Sequence, residues 1–318
     1  MKRIPKIMIL CGIFFLLSLS CAPASTVVDR AGRRIAVASP FSRIISLYGA
    51  HTENLFALGL DQEIIGVGRN EKFPPEALDK PAFSYHDDAE KFIAARPDLV
   101  LVRPLIDRVY QEFVRKLEQA GIVVVSLQPV GIGDMYAYWR DLGRLTGREA
   151  AAEQMVGRFR SVVDTVSARV AKKPADQRKR VYFEAIHQKM KTFSKSAIAM
   201  FVLETAGGVN IAADADQMRQ TNIAAYGKER ILAKAGKIDV FLAQRGPMNP
   251  VTLEAIMTEP GFSVIKAVRE NQVYLIDEAI VSRPGPRLIE GILRIEAILY
   301  PGNTAYSGES AAGAAARR

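Results

Sequence analysis

Three histidines, His51, His86 and His187, are the only imidazoles in the 318 residues, and each stands in a different segment. Imidazole ligates metals and titrates near neutral pH, so these are the first places where chemistry could occur. None belongs to an H-E-x-x-H or comparable metal spacing, and the sequence holds no G-x-S-x-G elbow and no G-x-x-x-x-G-K phosphate loop. Both cysteines, Cys11 and Cys21, lie in the first 21 residues, which leaves nothing later to form a disulfide, a thiolate nucleophile or a cysteine metal site. These absences argue against a secreted metalloenzyme or chelatase and favour binding chemistry. Tyrosine offers an apolar face with a polar tip, and the arginine fork matches carboxylates and other planar oxygen pairs. The 43 basic and 34 acidic side chains give a formal charge of +9, but without the Lys/Arg run that a nucleic-acid groove needs. With 49% hydrophobic and 24% charged residues, disordered, collagenous and disulfide-stapled chains are also excluded.

The elements that must position these groups follow from the apolar pattern. Residues 44–47, 64–67, 99–102 and 122–125 are apolar on consecutive positions, as strands covered on both faces by helices require. The pattern returns at 181–183, 209–211, 240–242 and 273–276. The second set weakly copies the first: Glu90 leads through Asp98 to Arg103, and Glu229 leads through Asp239 to Arg245, in the same order and at nearly the same spacing. Two lobes of like fold explain this economically. Between them, Met155, Phe159, Val162, Val163, Val166 and Val170 mark one face of a helix of about six turns that Pro174 ends. The expected architecture is α/β, with two doubly wound α/β lobes joined by a single long connecting helix. Its divisions are residues 21–133 for the first lobe, 134–174 for the connecting helical segment and 175–301 for the second lobe. A connection of this kind should hinge little, because helices resist bending unless Pro or Gly breaks them.

The ends carry separate signals. Lys2, Arg3 and Lys6 precede an apolar run at 7–19 that is too short to span a bilayer comfortably, which reads as an export signal over residues 1–20. Ser20-Cys21 resembles a lipobox, making Cys21 a lipidation site and a membrane anchor, while Ala22-Pro23-Ala24 offers an alternative cleavage that would release a soluble chain. Either way the mature chain is expected in the periplasm or otherwise outside the cytoplasm. The tail at 302–318, rich in Gly, Ala and Ser, reads as disordered.

Taken in order, the export signal, the repeated lobes, Ser46-Leu47 with Thr52-Glu53, Arg96-Pro97-Asp98-Leu99-Val100 and Gly207-Gly208-Val209-Asn210-Ile211 resemble class III substrate-binding proteins of ABC importers. These bind cobalamin, ferric siderophores and haem. The resemblance covers about residues 26–300 and rests on order and spacing rather than on any one motif. It implies a monomer with a ligand cleft between the lobes, no permanently bound cofactor, and transfer of an iron chelate or tetrapyrrole to a permease dimer with its ATPase. It also implies docking of one surface glutamate per lobe onto permease arginines, by position Glu90 and Glu229.

In doubly wound sheets the ligand meets the loops at the carboxyl ends of the strands. Those loops carry Tyr48 and His51, Tyr85 and His86, and Arg103 in the first lobe. In the second lobe they carry His187 and Gln188, Arg245, and Arg283. Three arginines suggest an anionic ligand such as a catecholate or carboxylate siderophore or haem propionates. Cobalamin, with its amide periphery, is the alternative; positions where its binders often carry Trp are Tyr85 and Arg103 here, and Trp139 falls on the connector. A zinc or manganese importer would need the three histidines to converge on a bare ion, which nearby arginines would repel.

Overall fold

A computed structural model describes residues 25–218 and 221–302. The expected export segment, Cys21 and the tail beyond residue 302 lie outside the described residues.

The first lobe contains β1 (Ser25–Val28), β2 (Arg34–Val37), β3 (Ile44–Ser46), α1 (Gly49–Ala57), β4 (Ile64–Gly68), β5 (Ala82–Phe83), α2 (Ala89–Ala95), β6 (Leu99–Val102), α3 (Pro104–Val109), α4 (Gln111–Gln119) and β7 (Val123–Ser126). Strands β3 to β7 form one parallel sheet in the order β5-β4-β3-β6-β7. The β1–β2 hairpin, absent from the sequence expectation, is antiparallel and buries Val27, Ile35 and Val37. Asp29 secures it by accepting hydrogen bonds from the amides of Ala31, Arg33 and, across the lobe, Ser126.

Two helices follow, α5 (Ile132–Thr146) and α6 (Glu149–Ala171). The long connecting helix is α6, 23 residues with Met155, Val156, Phe159, Val166 and Val170 buried. The segment from residue 134 is thus not one helix throughout: Gly147, at φ 67°, turns the chain between α5 and α6. The two pack closely enough that a Cβ on Gly143 would lie 2.8 Å from that of Ala152.

The second lobe contains β8 (Arg180–Ile186), β9 (Lys191–Phe193), α7 (Ile198–Thr205), β10 (Val209–Asn210), β11 (Asp216–Gln217), β12 (Ile223–Ala225), α8 (Lys228–Ala233), β13 (Val240–Arg245), α9 (Leu253–Met257), α10 (Lys266–Arg269), β14 (Val273–Asp277), α11 (Glu278–Val281) and α12 (Leu288–Leu299). Its sheet runs β11-β12-β9-β8-β13-β14, with β10 also paired to β8. Strand β13 pairs parallel to one edge of β8 and is followed by parallel β14; the other edge of β8 takes β10 in parallel and β9 antiparallel, with β12 antiparallel to β9.

Strand periodicity divides the core. Side chains alternate across a pleated sheet, so Ile44, Leu99, Leu101, Val181, Phe183 and Leu242 face one apolar core shared by both lobes and by α5, α6, α7 and α12. Their neighbours face outer cores, Ile45, Val100 and Val102 in the first lobe and Tyr182, Phe241 and Ala243 in the second. The buried Glu296 of α12 accepts a two-pronged hydrogen bond from Arg169 of α6 at 2.6 and 2.5 Å, joining the connector to the second lobe.

Candidate functional site

The parallel strands of both lobes point their carboxyl ends at one cleft of about 1110 Å³. One wall comes from the first lobe. Tyr48 caps α1 in an extended conformation (φ −149°, ψ 127°), which projects its half-buried ring from the end of β3. The Arg103 guanidinium lies 4.8 Å from the centre of that ring, a cation–π contact worth roughly 0.5–2 kcal/mol. Arg103 Nε is buried and has no partner among the described residues. Burial pushes the Tyr48 hydroxyl above its ordinary pKa despite the nearby Arg103 and Arg283 charges. Further along the rim, Tyr85, His86 and Tyr110 cluster with ring centres 4.4 to 5.2 Å apart. Arg69, also on the cleft, pairs with Asp87.

The floor is a charge cluster where the lobes meet. Arg283 of the second lobe donates to Glu53 of α1 at 3.1 Å and lies 3.7 Å from Glu278. Arg287 also reaches Glu53, at 3.6 Å. Glu71 stands close by: a Cβ on Gly49 would meet both Arg283 Nη1, at 2.7 Å, and Glu71 Oε2, at 3.3 Å. This crowding is why a residue without a side chain occupies position 49. Burial raises the pKa values of Glu53 and Glu278, and raises that of Glu71 to about 7. Burial works against the Arg283 charge, but Glu53, Glu278 and Glu71 outweigh it and hold the guanidinium above its usual pKa. Beside this cluster, the buried Gln244 side chain accepts a hydrogen bond from the Ser282 hydroxyl.

The opposite wall is mostly apolar. Ile186 from β8, Phe193 from β9, Ile223 from β12, Ile198, Met218 and Met248 line it, and Lys191 is its basic group. Neither Lys191 nor Arg103 has a carboxylate partner among the described residues, so they are the uncommitted cations of the cleft.

Several expected contacts are brought together: Tyr48, Tyr85, His86, Arg103 and Arg283 all line the cleft. Others are not. His51 is fully buried inside α1, with Nδ1 2.6 Å from the Tyr138 hydroxyl and Nε2 3.2 Å from the Val102 carbonyl; burial lowers its pKa to about 4. It stands behind Tyr48, its ring edge-on at 5.1 Å. His187 is buried on the far side of β8, 3.0 Å from Glu184 and 3.7 Å from Glu259, and its hydrogen bond to Glu184 raises its pKa. Gln188 and Arg245 are exposed away from the cleft. Strand alternation explains Arg245, because Gln244 turns inward and the next residue of β13 turns outward; His51 sits on the inner face of a helix, and His187 and Gln188 fall in the tight 3-10 turn that leaves β8. Of the three histidines expected at the ligand, only His86 lines the cleft; His51 and His187 are turned away from it. Glu90 and Glu229 are exposed in the first turns of α2 and α8, and neither pairs with another described residue.

The sequence reading missed Arg69 and Glu71, although they follow the recognised strand at 64–67 and the same loop rule would have found them. It also missed Lys191 and Phe193, because a three-residue strand after a tight turn leaves no periodicity to read. Among the described residues, no group of three His, Cys, Asp or Glu side chains has the arrangement to hold a metal ion, and no helix is long and apolar enough to cross a membrane.

Comparison with known proteins bears on this geometry. The family described as periplasmic binding protein matches residues 44–280. The chain is 26% identical over 282 residues to the uncharacterized ABC transporter substrate-binding lipoprotein YvrC of Bacillus subtilis, covering 87% of this chain and 85% of the relative. It is 23% identical over 259 residues to a vitamin B12-binding protein of Vibrio cholerae, covering 80% and 88% respectively. Among solved structures it is similar to a periplasmic solute-binding protein of Staphylococcus epidermidis, described as a possible iron-binding protein. That likeness has a TM-score of 0.71 at 27% identity and covers 82% of this chain and 100% of that one.

Proposed function

Because the chain belongs to the periplasmic binding protein family, we propose that its cleft captures a ferric chelate, either a siderophore complex or haem, and hands it to a transmembrane permease. At the coarser level, the protein is an extracytoplasmic substrate-binding component of an ABC importer, of the class that serves iron chelates, haem and vitamin B12. The family consists of solute-binding proteins. The observation that carries the iron reading is Arg103, stacked on Tyr48 with a buried Nε that lacks a partner, with Lys191 on the opposite wall. A buried donor without an acceptor costs about 1–3 kcal/mol until something supplies one, and an anionic oxygen would. One feature favours cobalamin as the second reading: Arg283 is already neutralised by glutamates, and the facing wall is apolar, which suits an amide-rimmed tetrapyrrole.

In this reading, Glu90 and Glu229 dock on the permease, and Cys21 anchors the mature chain to the membrane through lipid. The cargo is tested by titrating the purified protein with haemin, a ferric trihydroxamate, a ferric tricatecholate and cyanocobalamin, followed by absorption and Trp139 fluorescence. Tight binding of an iron complex, weakened about tenfold or more by Arg103→Ala, is expected. Binding of cyanocobalamin alone would sink the iron reading.

A further inference from the structure

The buried groups behind Tyr48 form a hydrogen-bond chain whose direction is fixed at every step. Val102 presents a carbonyl to His51 Nε2 at 3.2 Å, and a carbonyl only accepts, so Nε2 carries the imidazole proton. Nδ1 is then a bare acceptor, and the Tyr138 hydroxyl, 2.6 Å away, donates to it. The Tyr138 oxygen in turn accepts from Asn54 Nδ2 at 3.2 Å, and the second Asn54 proton goes to the Pro284 carbonyl at 2.9 Å. Trp139 Nε1 donates to that same carbonyl at 3.2 Å. His51, Asn54 and Tyr138 are all buried.

The ends of this chain are the informative part. Val102 immediately precedes Arg103, and Pro284 immediately follows Arg283, so the chain runs between the backbones that carry one cleft arginine from each lobe. Midway, His51 packs edge-on against Tyr48, the ring on which Arg103 stacks. Asn54 Oδ1 is buried and has no partner among the described residues. Its orientation is dictated by the two protons it must donate.

We propose that His51, Asn54 and Tyr138 are positioning residues of the cleft: their chain sets Tyr48, Arg103 and Arg283 in place across the lobe boundary before cargo arrives. The inference rests on the reading of the cleft as the cargo site. None of the three touches cargo; they act through the residues they hold.

The test compares Tyr138→Phe, His51→Phe, the double variant and His51→Asn with wild type, using haemin, a ferric trihydroxamate and cyanocobalamin as probes. Each Phe variant should weaken whichever probe binds by about tenfold, and the double variant should be little worse than either, since both break one chain. His51→Asn, whose Oδ1 can accept from Tyr138, should recover most of the affinity. Glu296→Gln, which breaks a buried pair remote from the cleft, should lower Tm without changing affinity. If the Phe variants behave like Glu296→Gln, losing Tm but not affinity, the positioning role is overturned. If wild type binds none of the probes, the cargo reading fails, and the chain is still tested in the ligand-free protein by NMR. There the Arg103 Nε–H and Tyr48 ring signals should shift in Tyr138→Phe and not in Glu296→Gln; unshifted signals overturn the proposal.

Discussion

Arg103 and Arg283 bring the same charge to the cleft under opposite conditions. Arg283 faces Glu53 and Glu278, with Glu71 beside it, while Arg103 has an aromatic ring and an empty donor. The sequence counted three cleft arginines; it could not show that carboxylates from α1 and the β4 loop would silence one and that strand alternation would turn Arg245 outward. The histidines divide in the same way and give opposite pH signs. His51 takes up a proton near pH 6.5 when unfolded but only near pH 4 when folded, so between those values the unfolded state binds more protons. Stability should therefore fall by about 3 kcal/mol as pH drops through that window. His187 has a raised folded pKa, so its contribution is complete below about pH 6.5 and is lost as pH rises through the folded value. Urea unfolding of wild type and His51→Gln at pH 7 and pH 5 checks the first sign: the variant should lose less on acidification, and equal losses would exclude the assignment.

At the level of elements, long apolar strands were legible because each must satisfy a core on both faces. Residues 99–102 and 240–242 alternate between the shared and outer cores, and no other pattern of side chains would serve both. The β1–β2 hairpin and strands β5, β9, β11 and β12 were not legible, since they are short without the run of large apolar side chains that marks 99–102, and their pairing is decided by tertiary neighbours. Gly147 separates α5 from α6, whereas the apolar stripe from Met155 to Val170 lies wholly within α6 and carries no sign of that turn. Packing between α11 and α12 makes a sharper demand on sequence. A Cβ at Gly291 would fall 1.9 Å from the Ile280 carbonyl oxygen, and backbone cannot yield as a side chain can. Gly291→Ala should cost at least about 2 kcal/mol and lower Tm by roughly 4–8 °C, measurable by calorimetry. An unchanged Tm would mean that these helices separate more freely than their contacts suggest.

For the whole molecule, one apolar core passes through both lobes and α6, and the Arg283–Glu53 and Asn54–Pro284 contacts cross the boundary independently. Closure on cargo should therefore be small, with the radius of gyration in solution scattering unchanged within error on adding a bound probe; a marked contraction would show that the shared core slides. Transport makes a separate demand. Replacing Glu90 and Glu229 together by lysine should abolish uptake while affinity for cargo stays at the wild-type value, and loss of affinity would assign them a folding role instead. The antiparallel strands β9 and β12 occur in the second lobe only, so an outwardly repeated molecule encloses unlike walls: aromatic and basic on one side, apolar on the other, with a carboxylate-rich floor. The consequence is stereochemical. If the cargo is an octahedral tris-chelate, its two mirror forms present the same atoms in opposite twist and cannot make the same contacts against three dissimilar surfaces, so titration with each resolved form should give unequal affinities.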